Sequence, residues 1–228
     1  MKKNGFTLAE VLITLAIIGV VATMTLPALM NNTGEQQYIT GLKKGINTLT
    51  EAAQLSNALD GIDYTLIGTS ETQSPSTDLT SHPSLYALVF NRINVDPAKT
   101  AQYRGTETPP AANGSAVSHD GNYAIFFKDG AAIYYNPEYS VNGGAADDKM
   151  GDGLPRGYSI VYDVNGLKGP NVLTNCSGKK TGNADAYSES KPICDNADDR
   201  VIGDQFGVRL RGNVAVPNGS AARWAFEK

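Results

Sequence analysis

Glu10 stands out chemically because nothing near it in sequence answers its charge. It is the only charged residue between Lys3 and Glu35, and the twenty residues from Val11 to Met30 carry no charge at all. A carboxylate at the edge of such a run is costly to desolvate, so an acid kept there is read as functional. Its available chemistry is ion pairing. In a low-dielectric environment it gains strongly from a cation docked against it and is strongly unfavourable without one.

A second set of oxygen-bearing residues lies near the middle of the chain. In YDVNGLKGPN, residues 162–171, Asp163 and Asn165 alternate ahead of Gly166, as at the start of loops that wrap a hard cation such as calcium. The full EF-hand pattern fails, because the glycine comes too early and no glutamate closes a twelve-residue loop. Asp163, Asn165, Asn171 and Asp204 form the calcium set this sequence offers. The competing reading is an Asx-turn with Asn and Gly at positive φ.

The only cysteines, Cys176 and Cys194, bound a loop of about eighteen residues. A hydrophobic N-terminus that delivers the chain out of the cytoplasm favours a disulfide, worth on the order of 3 kcal/mol in the chain-entropy picture. Two buried thiols are the alternative. His82 and His119 lie far from both cysteines and lack ligand spacing. SGKKT, residues 177–181, misses the phosphate-loop pattern, since Lys180 occupies the Ser/Thr place and no strand precedes it. No nucleophile–His–acid set has a motif context, and Asp147-Asp148 and Asp198-Asp199 sit in loop-like sequence. No enzymatic activity is expected. With a net charge of −4 and a pI near 5.2, charge implies no nucleic-acid partner either.

The elements that must position these groups begin with the apolar run. As a helix, Val11–Met30 is roughly 30 Å long, the thickness of a bilayer core. A secretory signal peptide does not fit, because the apolar core is too long and no A-x-A site follows it. A plain anchor with Lys2 and Lys3 on the cytoplasmic side fits in length and charge but leaves Glu10 unexplained. Beyond a polar stretch, where Gly34 marks a weak point, Ile39, Leu42, Ile46, Leu49 and Ala53 resume a helical stripe. Asp60-Gly61 is the expected stop. The stripe awaits a sheet; a free coiled coil is disfavoured by Gly41 and Gly45.

GFTLAEVLITLAIIGVVA, from Gly5 to Ala22, resembles the N-terminal segment of type IV pilins and of the pseudopilins of type II secretion. The resemblance is tight over about the first thirty residues. It implies cleavage by a prepilin peptidase between Gly5 and Phe6, N-methylation of Phe6, and the family glutamate at Glu10. Gly19 and Pro27 match positions where pilins commonly carry glycine and proline, in a stretch able to extend in the filament. The ammonium created at Phe6 is the natural partner of Glu10 on a neighbouring subunit. Because the two groups lie on different surfaces, the contact is heterologous and propagates into an open filament. DVNG and the later GDQF also resemble the C-terminal region of some pseudopilins, a region where some family members hold calcium.

The expected fold is α+β, with a long N-terminal helix, membrane-spanning in its first half, packed on an antiparallel sheet. The organisation is a leader at 1–5, an assembly helix at 6–30, its amphipathic continuation at 31–60, a variable loop region at 61–120 and a sheet domain at 121–228. Within 61–120, SLYALVFNRINVD reads as a short helix or strand. NYAIFF and AAIYY around Lys128-Asp129-Gly130 make a hairpin, SIVYD a third strand, and FGVRL with VAVP around Gly212-Asn213 a second hairpin. The tyrosines Tyr123, Tyr134, Tyr135, Tyr158 and Tyr162 are assigned to the half-exposed sheet. The functional expectation is a structural subunit of a pilus or secretion pseudopilus. Its partners are copies of itself or related pilins, the peptidase and the inner membrane, with the C-terminal domain outside the cytoplasm. The alternative is a minor pilin that binds, in adhesion or DNA uptake.

Overall fold

The computed structural model describes residues 7–64, 77–79, 84–102, 123–135, 158–176 and 200–228. Gly5, Phe6, His82, His119, Cys194 and most of the expected variable loop lie outside these residues. The chain divides into two units, Met1–Gln37 and Tyr38–Lys228.

Helix α1 runs from Leu8 to Asp60 without interruption. Gly34 does not break it, contrary to the expectation of a weak point. A lone helical glycine costs only about 1 kcal/mol, which neighbouring turns absorb. The stop is where sequence placed it: Gly61 takes φ +69° and donates its N–H to the Asn57 carbonyl. Asp60 then ties the helix end to α2, Leu85–Arg92, through an ion pair with Arg92.

Among the described residues, five strands form one antiparallel meander in the order β1 to β5. They are β1 Tyr123–Phe126, β2 Ala132–Tyr135, β3 Tyr158–Asp163, β4 Gln205–Arg211 and β5 Val214–Pro217. Both expected hairpins are present, with Gly130 at φ +98° in the first turn and Gly212 at φ +55° in the second. The register lines up Ile125, Ile133, Tyr162 and Phe206 across four strands. This row, with Val208 and Leu210, forms one core with the α1 stripe Ile39, Leu42, Ile46, Leu49 and Ala53. Each such aliphatic side chain contributes about 1.5–3 kcal/mol of burial. Because side chains alternate along a strand, Ala124, Phe126, Ala132 and Tyr134 make a separate cluster.

Gly41 and Gly45, which argue against a coiled coil, have a positive use here. A Cβ at residue 41 would sit 2.2 Å from Val164 Cγ1, and one at residue 45 would sit 2.3 Å from Tyr162 Cζ. Missing side chains on α1 therefore let the end of β3 press against the helix backbone.

SLYALVFNRINVD resolves as helix. Ser84 caps α2, its Oγ accepting the Ala87 N–H at 3.0 Å. The chain after it pairs with the first hairpin through Val95 and Phe127, then enters α3, Pro97–Gln102. There Thr100 Oγ1 accepts the Phe126 N–H at 3.0 Å. A last helix, α4, Ser220–Glu227, was not anticipated; it buries Ala222 and Ala225 in the core. Two turns are too short to show a period, and its small buried residues carry little apolar signal.

Candidate functional site

The first unit presents the site. Thr7 and Glu10 close a reciprocal cap at the start of α1: Glu10 Oε2 accepts the Thr7 N–H and the Thr7 hydroxyl, each at 2.8 Å, while the Glu10 N–H donates to Thr7 Oγ1 at 3.3 Å. This is a capping box, and the helix dipole favours an anion there. The T-x-x-E spacing was legible in the sequence, yet the sequence reading gave Glu10 only an intermolecular role. Structure adds Thr7 as its local partner.

Downstream of the cap, Leu8–Thr25 has a mean hydropathy of 2.2, and its apolar side chains point outward, with Leu8 79% and Ile18 63% exposed. Among the described residues, the hydroxyls in this span bond within the helix. Thr14 donates to the Val11 carbonyl, Thr23 to Val20 and Thr25 to Val21, at 2.9, 2.9 and 3.0 Å. Beyond Glu10, a span that satisfies its own hydroxyls and exposes hydrocarbon suits lipid or the interior of a helical bundle. Gly19 faces open space, with no atom within 4 Å of where its Cβ would be.

The four residues expected to hold calcium come near one another in the second unit but are used differently. Asp163 is fully buried at the end of β3, and its Oδ1 accepts the N–H groups of Asn165 and Gly166 at 3.1 and 2.8 Å. Its Oδ2 accepts from Gln205 Nε2 at 2.9 Å and from the Tyr134 hydroxyl at 3.4 Å. Asp204 accepts the Asn171 and Val172 N–H groups at 2.9 and 2.7 Å. Gly166 at φ +64° and Asn171 at φ +51° complete an Asx-turn loop. The carboxylate oxygens are thus occupied by donors, and Asn165 Oδ1 and Asn171 Oδ1 are the oxygens left without a partner. This arrangement is a turn network rather than a ready ligand shell for calcium. Among the described residues no group of three or more His, Cys, Asp or Glu residues converges. Burial pushes the Asp163 carboxyl up to about 7, the nearby Asp204 charge adding to the shift and the Gln205 hydrogen bond opposing it.

Cys176 is a disulfide cysteine at the end of this loop region.

Residues 1–26 match a family described as the prokaryotic N-terminal methylation motif. No curated protein and no solved structure matches the chain.

Proposed function

We propose, from the premise that this is a type IV pilin-like protein processed by prepilin peptidase and anchored by its apolar helix, that it serves as a structural filament subunit of a pilus or secretion pseudopilus. The observation that carries this reading is the junction of the methylation motif with an outward-facing apolar helix headed by one carboxylate. Before assembly the helix sits in the membrane with the C-terminal domain outside the cytoplasm. Cleavage between Gly5 and Phe6 exposes an ammonium that N-methylation leaves charged.

During polymerisation the helices exchange lipid for one another. Glu10 leaves its local cap to meet the Phe6 ammonium of an adjacent subunit. A subunit docked out of register strands a charge in low dielectric, so the pair selects the correct step. The Cys176–Cys194 disulfide closes a loop of the exported domain.

N-terminal mass spectrometry of the chain from cells with and without the peptidase tests the reading. The expected mature chain begins at methylated Phe6 only when the peptidase is present. A start anywhere else overturns it.

A further inference from the structure

Each edge of the five-stranded sheet meets a threonine hydroxyl supplied by a helix. On the β1 side, the Phe127 N–H donates to the Ala131 carbonyl at 2.9 Å, so antiparallel alternation turns the N–H and C=O of Phe126 away from β2. Both are used. The N–H meets Thr100 Oγ1 of α3 at 3.0 Å, and the carbonyl accepts the Asp96 N–H at 2.7 Å.

On the β5 side, among the described residues, no further strand or bridge pairs with the outer rim. An unpaired rim of this kind is a template for another chain. The Asn218 N–H donates to the Gly207 carbonyl at 2.8 Å, which fixes the phase of the ladder. Val214 and Val216 therefore bond to Arg211 and Arg209, and the backbone nitrogens of Ala215 and Pro217 point outward. Neither offers a donor. The Ala215 N–H is held by Thr50 Oγ1 of α1 at 3.0 Å, and proline has no N–H.

Thr50 is used differently from Thr14, Thr23 and Thr25, whose hydroxyls turn back on their own helix. The strand itself, Val-Ala-Val-Pro, carries no charge that would repel a neighbour, and Val214 is 46% exposed on its outer face. Closure of this edge thus rests on its two nitrogens.

We infer that β5 is a latent pairing edge for a second copy of this chain, kept shut by Thr50 and Pro217. A copy is the fitting occupant because two identical β5 edges related by a two-fold axis present the same donors, acceptors and valines to each other. The edge belongs to the second unit and does not depend on how the apolar helix assembles.

Sedimentation equilibrium of the full chain in detergent, paired with amide exchange, tests this. Thr50→Val keeps the branched shape and removes the acceptor, while Pro217→Ala restores an outward N–H without touching α1. Each should raise the association constant about tenfold over the unmodified chain. Thr50→Ser, which keeps the hydroxyl, should leave it unchanged. The new concentration-dependent protection should fall on residues 214–217. An unchanged association constant in Thr50→Val or in Pro217→Ala, an equal rise in Thr50→Ser, or new protection outside β5 would overturn the assignment.

Discussion

The ring of Tyr162 rests on the backbone of Gly45, so closely that a Cβ there would lie 2.3 Å from the phenol Cζ. The sheet's central row is thereby keyed into a notch in α1. Tyr162 also sits opposite Ile133 and Phe206, so displacing the ring disturbs two strand neighbours at once.

Gly45→Ala should therefore destabilise the domain despite alanine's better helix propensity. Overpacking of about 1–3 kcal/mol exceeds the propensity gain of at most about 1 kcal/mol. A thermal melt of the full chain should show a midpoint lower by a few degrees. An unchanged or raised midpoint would mean that the notch is not a packing constraint. Gly41→Ala should cost less, since a half-buried valine yields more easily than a ring.

At Glu10, cap and charge are separable. Glutamine can fill the same place in a capping box, whereas it cannot neutralise an ammonium. Glu10→Gln should leave membrane insertion and the helix start intact while reducing filament yield severely. Thr7→Ala should do the reverse, costing about 1 kcal/mol of local helix stability, seen as faster amide exchange at residues 8–11. Filaments of normal length from Glu10→Gln would contradict the pairing mechanism.

Asp163 sets a pH dependence of opposite sign to an ordinary salt-bridged acid. Its folded pKa of about 7 lies above the unfolded value, so the folded state holds the proton longer. Its contribution should fall as pH rises from about 4 to about 7 and then level off. Asp163→Asn should flatten that part of the profile, and an undiminished slope would remove Asp163 as its source. In the same melts, excess calcium or a chelator should leave the midpoint unmoved, because the Asp163 and Asp204 oxygens already accept N–H donors. A clear rise with calcium would assign the loop to cation binding.

Peptide mapping without reductant should join Cys176 to Cys194. Reduction should lower stability by about 2–4 kcal/mol. Recovery of Cys176 unlinked to Cys194 would refute the pairing.

The large elements were legible because their signals are periodic. The stripe Ile39, Leu42, Ile46, Leu49 and Ala53 is buried as its spacing requires, and both hairpins turn at the glycines that announced them. What escaped was set by contacts rather than period. Gly41 and Gly45 look like helix liabilities until Val164 and Tyr162 fill the gaps, and α4 is too short for a pattern. Among the site residues, Glu10 was evident from its isolation. The Asp163 loop was ambiguous, because an acid, an amide and a glycine at that spacing serve a turn and a cation equally. Only the positions of the N–H donors distinguish the two uses.

All the core residues of the described sheet domain that α1 supplies lie at or beyond Ile39, within the second unit. The folded core thus takes no side chain from the apolar span Leu8–Thr25, so substitutions within that span should leave the stability of the sheet domain unchanged.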